Sequence, residues 1–236
     1  REKIGARLTR IPLEIAKEVI PPALSMQAKV AQFVRLVKEK GSKVVSFDFD
    51  QTLTAFHLFN ILHTANKLPD IESNITQGYK SLQFDGWGSF KHDEKKVMNF
   101  IKVFGEQNPK TQIDFINEVF KQLKVADIEV AITSRGFASE IKNALKYAGI
   151  ESENIKIIGR ESLYTTKDKG LKAEYSNKTV LHIDDDKSEV MLKTTDIFNG
   201  IHAEPQHGKP AFSPDTIGAI TGKIKEMPPM QTLPGK

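Results

Sequence analysis

The chain of 236 residues carries 34 basic and 30 acidic side chains, a formal net charge of +4, and 39% hydrophobic residues. That suffices for one buried core with a small appended unit, and so modest a charge, without a basic block, indicates neither nucleic acid nor a membrane surface as partner. Cysteine is absent, which excludes disulfides, Cys-ligated zinc and thiol nucleophiles, so catalysis must rest on oxygen and nitrogen groups. No apolar run approaches the ~20 residues that span a bilayer, and the first residues lack a signal-peptide core, so a soluble protein is expected.

Residues 1–22, ending in Pro21 and Pro22, read as an N-terminal extension. Val30, Phe33, Val34 and Val37 recur at helical spacing before Gly41, which predicts an amphipathic helix and its stop. The β-rich run Val44 to Phe47 follows. Helical patterns then appear at Phe56 to Leu62 and around Val97, Phe100, Ile101 and Phe104, separated by the turn-rich "QFDGWGSF". Ile113, Ile116, Val119, Phe120 and Leu123 predict another helix, and "IEVAI" a strand. The alternation repeats with a helix around Ile141 and Leu145, a strand at Ile155 to Ile158, a short helix near Leu171 and a strand at Val180 to Ile183. Such alternation predicts an α/β fold with a doubly wound parallel sheet. "AEPQHGKPAFSP" reads as loop, Ile217, Ile220 and Ile224 as one more helix, and "MPPMQTLPGK" as a proline-rich tail.

Carboxylates and hydroxyls collect where these strands end. "VVSFDFDQTLT" places Asp48 and Asp50 two residues apart, so that on a strand both point to one face while Phe47 and Phe49 point to the other. Two adjacent anions call for a cation between them, and Mg²⁺, which prefers oxygen ligands and keeps positions for water and phosphate, is the economical choice. "IEVAITSRG" ends in Thr133, Ser134 and Arg135, "VLHIDDDKSEV" in Asp184, Asp185 and Asp186, and "YTTKDKG" supplies Lys167 and Lys169 as counter-charges. Open α/β sheets place their ligands at such carboxyl ends.

These four stretches resemble the motifs of the haloacid dehalogenase (HAD) superfamily phosphatases over roughly residues 44 to 190. "DFDQT" is similar to motif one, the hydroxyl after "VAIT" to motif two, a lysine before the next strand to motif three, and "IDDDKSE" to the acidic motif four. The resemblance implies a HAD-like core over 23–54 and 110–200, with a small helical cap at 55–109 inserted after the first strand and a C-terminal segment over 201–236. It implies an aspartyl-phosphate mechanism with Asp48 as nucleophile and Asp50 as general acid and base. Ser134 would be the motif-two hydroxyl, with Thr133 as its neighbour if the register slips, and Lys169 the motif-three lysine, with Lys167 a close second. Mg²⁺ would be held by Asp48, Asp50 through its carbonyl, and Asp185, with Asp184 as partner and Glu189 near a further acidic position. Thr52, Thr133, Arg135, Lys167 and Trp87 are the candidate substrate contacts. Gln51 departs from the family's usual glycine or glutamate but lies on the turn.

The resemblance implies a phosphorylated substrate, and the aromatic, glycine-rich lid around Trp87 suits an aryl phosphate such as phosphotyrosine on a protein. A metabolite phosphatase or phosphotransferase of the same fold is the alternative, and a non-catalytic phosphate-binding or partner-binding scaffold is the alternative of another class. The expected location is cytoplasmic, or a host cytosol for an effector. Arg160, in the loop "GRESL", is given no role.

Overall fold

The structure, a computed structural model, describes residues 24–63, 100–162, 166–190 and 197–231. Residues 1–22, Trp87 and most of the expected cap lie outside the described residues.

Ser25 caps the first helix, α1 (Met26–Glu39), its side chain accepting from the Ala28 N–H at 3.2 Å. Gly41, left-handed at φ 81°, ends that helix and turns the chain into β1 (Val44–Phe47). α2 (Leu58–His63) follows, then a 3₁₀ turn at Lys102–Phe104 and the long α3 (Pro109–Val125). The start of α3 is set by Asn108, which accepts from the Thr111 N–H at 3.3 Å, and by Pro109 in the first turn. The remaining described elements are β2 (Glu129–Thr133), α4 (Ala138–Tyr147), β3 (Lys156–Ile158), α5 (Lys167–Glu174), β4 (Val180–Asp184), α6 (Lys187–Val190), β5 (Phe198–His202) and α7 (Ile217–Glu226).

All five strands are parallel, in the order β3-β2-β1-β4-β5. The chain moves outward from β1 through β2 to β3, then returns to place β4 on the other side of β1. The crevice beyond the carboxyl ends of β1 and β4 therefore lies at a topological switch point. Alternate strand residues sort into two cores. Val45, Phe47, Val130, Ile132, Leu181 and Ile183 join α1, α3, α4 and α7 on one face. Val44, Ala131, Ile158, Val180 and Phe198 join Leu171 and Tyr175 from α5 on the other. Helices thus cover both faces, as the alternation of elements predicts.

The sequence reading has no strand at Phe198–His202, because Asn199 and Gly200 interrupt its apolar pattern. Packing explains the glycine. A Cβ at Gly200 would lie 2.7 Å from the Val190 Cβ and 2.8 Å from the Val190 carbonyl oxygen, so α6 can rest on β5 only where there is no side chain. The loop before α7 also serves the first core. Phe212 is fully buried, with ring centroids 5.0, 5.1 and 5.5 Å from those of Phe47, Phe115 and Phe33. The N–H groups of Ala211 and Phe212 donate to the carbonyls of Gln51 and Thr52 at 2.8 and 3.0 Å, fastening the turn after β1 to that core. Burial of one such ring is worth ~1.5–3 kcal/mol, ample to hold a turn in place.

Candidate active site

β1 closes at Phe47, and the Asp48 N–H extends its ladder by donating to the Ile183 carbonyl at 2.9 Å. Asp48 keeps the parity of Val44 and Ser46, so its side chain lies on the face that α5 covers. The chain then leaves strand geometry. Gln51 sits at φ 61°, a conformation uncommon outside glycine. The Thr54 hydroxyl ties the turn, accepting from the Gln51 N–H at 3.2 Å and reaching the Phe49 and Phe56 carbonyls at 3.0 and 2.8 Å. Asp50 is thereby carried into surroundings of its own. Its Oδ1 accepts the Leu58 N–H at 2.8 Å, and its Oδ2 lies 3.9 Å from His57 Nδ1. The expectation that Asp48 and Asp50 project together from a strand is corrected here, because strand parity reaches Asp48 but not Asp50.

Lys167, at the start of α5, enters the second face from above. Its Nζ donates to Asp48 Oδ1 at 2.6 Å and to Asp184 Oδ2 at 2.7 Å, and all three side chains are almost completely buried. Burial works against the charge on Lys167, but Asp48 and Asp184 outweigh it and raise its pKa. Burial also opposes ionisation of Asp184, yet hydrogen bonds from His182 and Lys167 hold that carboxyl well below its ordinary range. For Asp48 burial prevails. With Asp184 and Asp50 adding to it and Lys167 only partly offsetting it, the Asp48 pKa is raised well above that of an ordinary aspartate.

Lys167, not Lys169, therefore sits between the carboxylates. Lys169 is exposed, since two residues along a helix turn a side chain by about 200°. Ser134 is buried at the strand end. Its Oγ accepts the Gly136 N–H at 3.1 Å, and a Cβ at Gly136 would stand 3.5 Å from that Oγ and 3.9 Å from Asp50 Oδ2, so both groups lie near Gly136. Thr133 instead turns beneath the sheet end, its Oγ1 2.9 Å from the Ser46 hydroxyl. Thr52 faces Asp185. Fully buried, it exchanges hydrogen bonds with Asp185, donating to Oδ1 and accepting the Asp185 N–H, each at 3.0 Å. Arg135 forms an ion pair with the buried Glu189, tying the loop after β2 to α6.

A polar layer under these groups is absent from the sequence reading. His182 is fully buried on β4, with Nε2 2.9 Å from Asp184 Oδ2 and Nδ1 3.1 Å from Ser46 Oγ. Strand parity could have found it, because His182 lies two residues before Asp184 and pairs with Ser46 across the parallel ladder.

Asp48, Asp184 and Asp185 each offer an oxygen within 4.8 Å of the others. An octahedral ion with bonds of ~2.1 Å sets opposite ligands ~4.2 Å apart, so this donor set fits a hard divalent cation. Its charge points the same way, since one ammonium faces three carboxylates and burial, with Asp184 beside it, also raises the Asp185 pKa.

Residues at the ends of β1, β2 and β4, with a lysine from α5 between them, thus meet in one crevice of a parallel α/β core. No family model and no curated protein matches the chain. Among solved structures, an inactive mutant of the HAD domain of effector protein Lem4 from Legionella pneumophila is similar over 78% of this chain and 92% of that one, at 18% identity and a TM-score of 0.43. A second structure of that domain gives the same identity and TM-score. Cytosolic 5′-nucleotidase IIIB bound to cytidine is similar over 84% of this chain and 90% of that one, at 14% identity and a TM-score of 0.32. Among the described residues no helix is long and apolar enough to cross a membrane.

Proposed function

We propose that the protein is a HAD-type phosphomonoester hydrolase that uses Mg²⁺ and acts on aryl phosphates, with phosphotyrosine on a protein as the substrate class. The observation that carries the reading is the division of labour between carboxylates. Asp48 lies in the buried cluster with Lys167, while Asp50 is held apart by the Leu58 N–H, near Gly136. A phosphate-binding scaffold has no use for that second carboxylate.

An oxygen of Asp48 attacks phosphorus while the ester P–O bond breaks, its electron pair going to the leaving oxygen, which takes a proton from Asp50. Asp50, now a carboxylate, accepts a proton from water. The resulting hydroxide oxygen bonds to phosphorus, and the Asp48–phosphorus bond breaks to release phosphate. Lys167 and the Ser134 hydroxyl donate to the equatorial oxygens as charge builds on them. Asp48, Asp185 and the Asp50 carbonyl would hold Mg²⁺, with Asp184 as a supporting carboxylate. When bound, the ion supplies positive charge that offsets repulsion between Asp48 and the substrate dianion. Asp185 is the better direct ligand because both Asp184 oxygens already accept protein donors: Lys167 and His182 on Oδ2, and the Asp186 N–H on Oδ1.

The test is a panel of aryl phosphates, phosphotyrosine peptides and sugar phosphates assayed with and without Mg²⁺. The expected result is Mg²⁺-dependent release of phosphate, fastest from aryl esters. Absence of turnover across the panel refutes the enzymatic reading, and a preference for a sugar phosphate refutes the substrate class.

A further inference from the structure

Asp50 marks the side of the crevice from which the leaving group departs, and the residues around it are specific. Leu58 and Gly136 flank its carboxylate. The next residue along each segment is a phenylalanine, and Phe59 and Phe137 approach each other with ring centroids 6.1 Å apart. Over both rings sits Arg160, its guanidinium carbon 5.8 Å from the Phe59 centroid and 6.0 Å from that of Phe137.

The backbone fixes this arrangement. The Arg160 N–H donates to the Gly136 carbonyl at 2.8 Å. At Gly159 a Cβ would fall 2.4 Å from the Ala138 nitrogen, so only glycine lets the loop after β3 lie against the start of α4. The neighbouring Glu161 carboxylate accepts the Ala138 N–H at 3.0 Å. Arg160 itself is exposed and has no ion-pair partner among the described residues. Stacking on aromatic faces orients a guanidinium while leaving its N–H edge suited to a carboxylate.

We propose that Phe59, Phe137 and Arg160 form a leaving-group subsite that selects an aryl phosphate carrying a nearby carboxylate, as in phosphotyrosine flanked by acidic residues. This rests on the phosphatase reading above and on Asp50 as its acid. The two rings contact the phenol, and Arg160 pairs with a carboxylate beyond it.

The experiment compares kcat/KM of the full chain with Mg²⁺ on a phosphotyrosine peptide flanked by glutamates, the same peptide flanked by glutamines, a phosphoserine peptide flanked by glutamates, and phenyl phosphate. One partly solvated charge-assisted hydrogen bond corresponds to a preference of about tenfold, so the glutamate phosphotyrosine peptide exceeds its glutamine counterpart by that factor, chiefly in KM. In R160Q, checked for an unchanged thermal transition, the ratio falls to about one. High salt shrinks the wild-type ratio, and F59A and F137A reduce the preference for phosphotyrosine over phosphoserine. Equal rates on the two phosphotyrosine peptides, or a ratio that survives R160Q, overturn the subsite while leaving the phosphatase reading intact. Failure to hydrolyse any of the four esters overturns that reading and the subsite with it.

Discussion

Replacing Lys167 with methionine keeps an unbranched side chain, one atom shorter, and removes its charge and donors. Asp48 Oδ1 and Asp184 Oδ2 then lose hydrogen bonds of 2.6 and 2.7 Å from the same ammonium. The two carboxylates, with oxygens within 4.8 Å of each other, repel by about 3.5 kcal/mol at an effective dielectric constant of ~20. This agrees with the ~3–5 kcal/mol lost when one partner of a buried ion pair is removed. For a chain of this size it corresponds to a fall in Tm of roughly 10 °C in metal-free buffer near neutral pH.

The pH dependence follows from the directions of the shifts. The raised pKa of Lys167 keeps its stabilising contribution complete below the ordinary lysine value of ~10.4, so wild type has it throughout the assay range. Asp48, whose pKa is already raised, is pushed further up in the variant and takes up a proton as pH falls, which relieves the repulsion. The deficit of K167M is therefore widest at high pH, where Asp48 is ionised, and narrows as pH falls. Added Mg²⁺ raises the Tm of K167M by more than that of wild type, because the ion meets more uncompensated charge. Thermal melts of wild type, K167M and K169M across pH and Mg²⁺ concentration measure all of this. A wild-type Tm for K167M, or an equal loss in K169M, would refute the assignment of Lys167 as the bridging cation.

Asp48→Asn abolishes turnover, whereas Asp50→Asn slows release more than formation of the covalent intermediate, so a phosphorylated protein accumulates and is seen by intact mass. Thr52→Val removes both hydrogen bonds to Asp185 and lowers Mg²⁺ affinity ~10–100-fold by calorimetry, as loss of support to a metal ligand typically does. Gly200→Ala drives a methyl group into Val190 and costs about 1–3 kcal/mol in urea unfolding. Burial, helped by Glu129 and Glu174, pushes the Tyr175 phenol up to about 12. Its contribution to stability is complete below the ordinary tyrosine value of ~10 and lost as pH rises through 12, so Tyr175→Phe flattens the alkaline end of the stability profile.

Much of this architecture is written in local patterns. β1, β2 and β4 are buried runs that end in polar residues, and the helices between them repeat apolar side chains at helical spacing, so both the parallel sheet and the crevice can be read from the chain. What escapes depends on phase and on partners far apart in sequence. Lys167 and Lys169 are equivalent on paper, and only the rotation of α5 against the second face separates them. Gly170 beside Lys169 draws attention to the exposed lysine of the two. β5 escapes because Gly200 answers to Val190, a contact made by the packing of α6 and not by the strand itself. The separation of Asp50 from Asp48 depends on a left-handed residue at Gln51, which residue type alone does not announce.

The buried polar layer gives the carboxylates their different characters. A carboxylate can only accept, so His182 must donate from Nε2 to Asp184. His182 Nδ1 lies 3.1 Å from the Ser46 hydroxyl, which lies 2.9 Å from that of Thr133. Three strands thus contribute one hydrogen-bonded chain that ends on Asp184, which also takes Lys167 and the Asp186 N–H. So heavily donated to, Asp184 stays ionised and fixes Lys167 in place. Asp48 has the same lysine but not the same set of donors, and burial leaves it with the higher proton affinity of the two. Greater basicity makes a carboxylate the stronger nucleophile, which suits Asp48 better than Asp184 to the attack proposed for it.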